Sequence, residues 1–184
     1  MTFLMMDEFE FQGQTWSVCP PSPGAPSNRD LGIETIMAST ACRSGRVNTF
    51  GVQDDMHLVL REIQVRLAED GYFEDYVPQG AQRIDLDPDE GMGFTTRFIF
   101  DDLKLDSTGT VVLGRDLNPS LTENMGYQTA NRFEQRAILR FQNGILTEST
   151  LEHGSHPDPF WKRPLFFTLV MLAITTLLIV SRCS

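Results

Sequence analysis

The C-terminal end of this sequence carries its longest apolar run, residues 164–181, which contain no charged side chain. As a helix, these 18 residues would measure about 27 Å, close to the hydrocarbon thickness of a bilayer, about 30 Å. Core helices of soluble proteins are usually shorter and apolar on one face, whereas this run is apolar all round. We therefore predict a single C-terminal transmembrane helix over residues 164–181, with a lipid bilayer as its surroundings.

Residues next to this run predict how it lies in the membrane. Trp161 suits the headgroup level, Lys162 and Arg163 accompany it, and Arg182 follows the run. Because two cations precede the run and one follows it, the positive-inside rule places the N-terminal side in the cytoplasm. The apolar start MTFLMM ends at Asp7 and is too short for a signal peptide. The sequence therefore predicts a tail-anchored, single-pass membrane protein with a cytosolic N-terminal domain.

Charge is distributed unevenly along the chain. Before Lys162 there are 25 acidic and 12 basic residues, so this part carries a net charge of −13. Nucleic-acid binding needs a basic surface, and the composition therefore argues against a nucleic-acid partner. The three cysteines, Cys19, Cys42 and Cys183, follow neither a zinc-site nor a disulfide spacing. For the acidic domain we expect a protein partner, and a basic one fits its charge.

The N-terminal residues predict a β-hairpin followed by a loop. In residues 1–18, aromatic and apolar side chains alternate with polar ones on both sides of Gly13. This is the period of two strands joined by a short turn. Residues 19–28 contain four prolines and are predicted to form an irregular or polyproline-like loop.

Residues 54–71 contain the clearest helical pattern ahead of the apolar tail. Asp54 suits the first position of a helix, and Gly71 suits a left-handed stop after the last turn. The apolar side chains recur every three or four residues and form one stripe: Met56, Val59, Leu60, Ile63 and Leu67. The pattern predicts one long amphipathic helix.

Most of the other segments between residues 29 and 152 have the pattern of short strands. The strongest signal is Asn143-Gly144 between two apolar runs, because both residues accept the positive φ angles of a two-residue hairpin. Together these segments predict an α+β domain over residues 29–152. In it, an antiparallel sheet of about five strands packs against the long amphipathic helix. Residues 153–163 are predicted to be a juxtamembrane linker.

The acidic stretch RIDLDPDEGMG contains the candidates for a metal site. Asp85, Asp87 and Asp89 alternate along it and Glu90 follows, and clustered carboxylates of this kind are ligands for hard cations. An EF-hand loop needs glycine at its sixth position and glutamate at its twelfth, where this chain has Glu90 and Thr96. The stretch is therefore interpreted as an acidic turn between strands, with a looser metal site as the alternative.

Other reactive side chains follow no pattern typical of a catalytic or cofactor site. Arg43 and Arg46 would lower the pKa of the Cys42 thiol if it were exposed, although a buried structural cysteine is the commoner arrangement. His153 and His156 fall in the predicted linker and are expected to be exposed. The sequence therefore predicts no cofactor and favours binding over an enzymatic reaction.

Three functions fit these features. The first is a binding or adaptor module that holds a partner of its acidic domain at a membrane, and the second is an accessory subunit of a larger membrane complex. The third is a membrane-tethered carrier of an apolar ligand such as a lipid. Its cavity could be lined by aromatic side chains, although an ordinary core is the commoner role for them: Phe94, Phe98, Phe100, Phe133 and Phe141. The tail, the acidic charge and the absence of catalytic motifs favour the adaptor.

Overall fold

The computed structural model describes residues 4–26, 31, 33–68, 75–87, 92–122 and 126–153. Within these residues the chain forms nine strands, and a short 3-10 helix, Ala130–Arg132, precedes the eighth. The strands are β1 (Glu8–Phe11), β2 (Gln14–Cys19), β3 (Arg46–Val52), β4 (Leu58–Val65), β5 (Ala81–Asp85), β6 (Thr96–Lys104), β7 (Gly109–Leu117), β8 (Phe133–Gln142) and β9 (Ile145–His153).

The nine described strands belong to one mixed sheet, in the order β5-β6-β4-β3-β1-β2-β7-β8-β9. Neighbouring strands are antiparallel except for β1 and β3, which are parallel. The sheet also curls back on itself, because the beginning of β9 contacts the beginning of β4. There the Leu58 amide donates to the Gly144 carbonyl and the Leu146 amide donates to the Met56 carbonyl, each at 2.8 Å.

The face enclosed by this curl holds the hydrophobic core. Phe9 of β1 packs between Phe50 of β3 and Phe141 of β8, with ring centroids 6.5 and 6.4 Å apart. All three side chains are almost completely buried. Burial of one phenylalanine side chain contributes about 1.5–3 kcal/mol, so the alternating aromatic residues of β1 and β2 favour a central position for this hairpin in the sheet.

Residues 54–71 do not form the predicted amphipathic helix, because strand β4 occupies the middle of this segment. Met56, the first residue of the expected apolar stripe, is 53% exposed. Leu58 and Val65 do not belong to the stripe, yet both are completely buried. The pattern of buried side chains in this segment is therefore that of a strand and not the predicted stripe of a helix.

A β-bulge at Arg61 explains why the spacing of apolar residues in this segment resembles that of a helix. Leu60 and Glu62 lie opposite consecutive residues of β3, so Arg61 is one extra residue in β4. An extra residue shifts the alternation of side chains along a strand. Leu60 and Ile63 consequently both face the core although they are three positions apart, which is also the spacing of a helical face.

The predicted α+β fold is therefore wrong. The described residues form nine strands instead of about five, their sheet is mixed instead of antiparallel, and they include no long helix. The core that the helix was expected to cover is enclosed by the curl of the sheet. The hairpin predicted at Asn143 and Gly144 is confirmed, since these residues connect β8 to β9 with φ angles of 50° and 77°.

Among the described residues, no helix is both long enough and apolar enough to cross a bilayer. The predicted transmembrane helix over residues 164–181 lies outside the described part of the chain. The same is true of the predicted interface residues Trp161, Lys162, Arg163 and Arg182.

Candidate functional site

Two of the four metal candidates, Asp85 and Asp87, belong to the described residues, and Asp89 and Glu90 do not. Asp85 ends the edge strand β5, and its exposed carboxylate accepts a hydrogen bond from Arg83 Nε at 2.8 Å. The described residues contain no group of three or more histidine, cysteine or acidic side chains placed to hold a metal ion. The contact made by Asp85 is thus an ion pair within its own strand.

The other side chains singled out in the sequence lie in two environments. Cys42 is buried in a small cluster with Ala38, and its Sγ is 3.4 Å from the Arg46 carbonyl oxygen. His153 is exposed at the end of β9, and His156 lies outside the described residues. The phenylalanines considered either for a core or for a carrier cavity are all buried: Phe94, Phe98, Phe100, Phe133 and Phe141. These five side chains therefore contribute to the packing of the protein.

Strand β9 forms one outer edge of the sheet. Its contact with β4 involves only the beginning of the strand, where the Leu146 amide donates to the Met56 carbonyl. Over residues 147–153, β9 pairs with β8 on one side. On its other side this stretch makes no backbone hydrogen bond to any described residue. The edge of the sheet is therefore open along most of β9.

The pairing with β8 identifies the β9 amides that point to the open side. Leu146 lies opposite Phe141, and its amide points away from β8 because it donates to the Met56 carbonyl, two residues before β4. Hydrogen-bonded and non-hydrogen-bonded pairs alternate along an antiparallel ladder. Counted backwards along β8 from Phe141, every second residue therefore lies opposite a β9 residue whose amide points outward. These β9 residues are Ser149, Leu151 and His153.

Both faces of β9 are open to solvent as well. Leu151 lies on the core-facing side of the sheet, opposite Ala137, yet it is 50% exposed. On the other face, Arg140 pairs with Glu148 at 3.2 Å and Arg136 with Glu152 at 3.5 Å. Exposed ion pairs of this kind contribute little to stability, about 0–1 kcal/mol. They keep the strand polar without covering its open edge.

A cleft of about 320 Å³ lies beside the beginning of β1. Its walls come from residues 5–7, from the proline-rich residues 20–26 and from residues 44–48. The proline-rich wall is fixed to the sheet, because the Ser22 hydroxyl donates to the Cys19 carbonyl at 2.6 Å and accepts from the Val112 amide at 2.9 Å. The apolar lining residues are Met5, Met6, Val18, Pro20, Ala25 and Pro26.

Asp7 is the acidic residue of this cleft, and the parallel pairing of β1 with β3 determines its position. Because Glu8 lies opposite Thr49, the preceding residues Asp7 and Asn48 also lie side by side. Asp7 Oδ1 accepts two hydrogen bonds from the buried Asn48, one from its amide and one from its Nδ2, both at 2.9 Å. Asp7 Oδ2 has no hydrogen-bond partner among the described residues. One oxygen orients the carboxylate, and the other is available to a ligand.

Burial raises the pKa of the Asp7 carboxyl above its ordinary value of 3.8, and the hydrogen bonds from Asn48 and the charge of Arg46 oppose this rise. The folded protein therefore binds the Asp7 proton more tightly than the unfolded chain does. The stabilisation that results is complete below pH 3.8 and is lost as the pH rises through the raised pKa. Ionisation of Asp7 thus lowers the free energy of unfolding at neutral pH relative to the protonated form.

Replacement of Asp7 by asparagine removes this titration and keeps an oxygen that accepts from Asn48. We expect the free energy of unfolding of Asp7→Asn, relative to the unmodified protein, to increase as the pH rises from 3.8 and then to level off. Urea unfolding in small pH steps measures it. Asp101→Asn, which removes an exposed carboxylate of β6, is the control. A difference that falls with pH, or an equal rise in the control, contradicts the prediction.

Neither surface feature was identified from the sequence. Asp7 was interpreted only as the residue that ends the apolar start of the chain, and its partner Asn48 is 41 positions away. The edge of β9 is open because this strand lies at one end of the strand order, and no local sequence pattern predicts that order. Comparisons with protein families, with curated proteins and with solved structures find no match for this chain.

Proposed function

We propose that this chain is a tail-anchored binding module, and that the open edge of β9 takes up an extended segment of a partner protein. The observation that supports this proposal is the outward direction of the amides of Ser149, Leu151 and His153 along an exposed edge. We prefer this function to an apolar-ligand carrier, because none of the phenylalanines that would line a carrier cavity lines the cleft of about 320 Å³.

An open strand edge favours the addition of another strand. Soluble proteins usually protect such edges by short strands, bulges or covering segments. β9 has a bulge at its beginning, between the pairs of Arg140 and Phe141, but its regular part extends from residue 148 to residue 153. A partner segment in extended conformation completes these backbone hydrogen bonds, and its alternate side chains provide specificity.

The charge of the domain indicates the kind of partner segment. The chain before Lys162 carries a net charge of −13, and Glu148 and Glu152 are partly exposed on one face of β9. Complementary charge speeds association and disfavours acidic partners. We therefore propose a segment with basic side chains at alternate positions, attracted by the net charge of the domain, since Glu148 and Glu152 are already paired with Arg140 and Arg136.

The predicted anchor restricts where this partner is found. Ten residues, 154–163, separate the end of β9 from the predicted transmembrane helix. Even a fully extended chain of this length reaches only about 33–36 Å. The open edge would therefore work close to the bilayer, and a protein of the same membrane, or one bound to its surface, is the partner we propose.

A photo-crosslinking residue at Ser149 tests the pairing in the cells from which the protein comes. We expect the full-length chain to form a crosslinked product with a membrane-associated protein, and Leu151→Pro to reduce its yield about tenfold. Proline removes one outward amide from the edge, and its ring is tolerated where the amide is not used within the sheet.

Leu151→Ala is the matched control, because it shortens the same side chain but keeps the amide. We expect it to retain most of the crosslinked product. Equal losses in the two variants would assign the contact to the Leu151 side chain and contradict strand addition. A yield that neither substitution changes would contradict it as well. Far-ultraviolet circular dichroism of both purified variants checks that the sheet has formed.

A further inference from the structure

The cleft beside β1 contains two opposite charges, on Asp7 and Arg46, which attract each other but form no direct ion pair among the described residues. Asp7 Oδ2 accepts no hydrogen bond from them, and the guanidinium of Arg46 forms no ion pair or hydrogen bond with them. Both residues line the cleft. From this geometry we propose that the cleft binds a small zwitterion, with its ammonium group on Asp7 and its anionic group on Arg46.

Three other polar residues of the cleft already form hydrogen bonds within the protein, and Tyr127 adds its hydroxyl to the lining. The Ser22 hydroxyl bonds to Cys19 and Val112, and the Ser44 hydroxyl donates to the Arg46 carbonyl at 3.0 Å. Asn48 donates to Asp7 Oδ1 through its backbone amide and through Nδ2. The charged groups of the cleft that can recognise a ligand are therefore the carboxylate of Asp7 and the guanidinium of Arg46, beside the hydroxyl of Tyr127.

A zwitterion fits this pair better than a ligand with one charge. An amine alone would be attracted by Asp7 but repelled by Arg46, and a carboxylate or phosphate alone would meet the opposite conflict. The carboxylate of Asp7 is partly removed from water, which raises its pKa. An ammonium group replaces some of the lost hydration, and charge-assisted hydrogen bonds of this kind are the strong ones.

The size and the walls of the cleft limit the rest of the ligand. A volume of about 320 Å³ lies at the lower end of the range for small-molecule sites. Met5, Met6 and Val18 line it together with two prolines. These walls suit a short aliphatic part rather than a further charge. Free amino acids and phosphoethanolamine, whether free or as a lipid headgroup, share the required chemistry.

Isothermal titration calorimetry of the full-length protein in dodecyl maltoside micelles tests the site. L-leucine and O-phosphoethanolamine are the two probes. We expect at least one of them to bind, and about tenfold weaker binding by Asp7→Asn and by Arg46→Gln. Stronger binding of leucine would identify amino acids as the natural class, and stronger binding of O-phosphoethanolamine would identify phosphoethanolamine, with vesicles of phosphatidylethanolamine as the probe for the lipid headgroup.

Two ligands with a single charge provide the chemical control. Isoamylamine is leucine without its carboxylate, and 4-methylpentanoate is leucine without its amine. We expect each to bind at least about tenfold more weakly than the better zwitterion. Arg43→Gln, which removes an exposed arginine outside the cleft lining, and Asp101→Asn are the protein controls, and neither should change the affinity.

The proposal is overturned if neither zwitterion binds at about 10 mM, or if isoamylamine binds as tightly as the better zwitterion. It is also overturned if Arg46→Gln has no effect. The site does not depend on the open edge of β9, because no residue of that strand lines the cleft. Leu151→Pro should therefore leave the affinity for the zwitterion unchanged, so that the two proposals fail separately.

Discussion

Replacement of Val65 by aspartate is expected to lower the free energy of unfolding by about 4 kcal/mol or more. Val65 is completely buried near the end of β4 and belongs to the main core. Aspartate at this position would place a charge without a partner in an apolar surrounding, which is among the most destabilising changes known. Urea unfolding of the full-length protein in micelles, followed by circular dichroism, measures the change.

Met56→Asn is the matched comparison, because it distinguishes a strand from the helix predicted for the same segment. Met56 is 53% exposed and has a φ angle of 66°, which asparagine tolerates well. We expect a change within about 0.5 kcal/mol. In the predicted helix the two positions exchange roles, since Met56 begins the apolar stripe and Val65 lies outside it. A large loss of unfolding free energy for Met56→Asn together with a small loss for Val65→Asp would contradict the strand and support the predicted helix.

Deletion of residues 164–184 is expected to move the protein from the membrane pellet to the soluble fraction. The eleven leucine, isoleucine, phenylalanine and valine residues of the run favour insertion by roughly 3–7 kcal/mol in total. Full-length protein should therefore resist carbonate washing, and the deleted form should not be retained. A tag at the N-terminus, digested by protease outside intact organelles, would establish the predicted cytosolic orientation.

Cys183→Ser is the control for this deletion, because a lipid attached to Cys183 would also hold the protein at a membrane. We expect this variant to stay in the carbonate-resistant pellet. If the full-length protein is washed off instead, residues 164–181 belong to a soluble core and the proposed adaptor loses its anchor. If the tag resists protease, the domain faces a lumen and its partner must be sought there.

The sequence predicted those elements of the fold that are encoded locally. Asn143 and Gly144 specify their hairpin because both accept a positive φ angle, whatever surrounds them. The segment around Arg61 is different, since its bulge is seen only when β3 lies beside it. Without that neighbour, inward residues at positions 60 and 63 fit a helix as well as a strand. Periodicity alone does not distinguish the two in a bulged strand.

The candidate sites cannot be predicted from the sequence for a similar reason. Asp7 and Asn48 are 41 positions apart, and they meet because β1 joins the sheet parallel to β3. The spacing of Asp85 and Asp87 was visible, but a run of carboxylates in the sequence does not specify which partners they face. In the fold, Asp85 contacts Arg83 of its own strand. Recognition groups brought together by tertiary pairing leave no local signal.

The position of β1 at the centre of the strand order has a consequence for how the chain reaches this fold. The β1–β2 hairpin comes first in sequence, but it completes its pairing only with β3 on one side and β7 on the other. The hydrogen bond between Ser22 and Val112 joins residues 90 positions apart. Such a topology has a high contact order, which slows folding. On the ribosome, both edges of this hairpin remain uncovered while the later strands are made, and a nascent chain in that state is a natural client of chaperones.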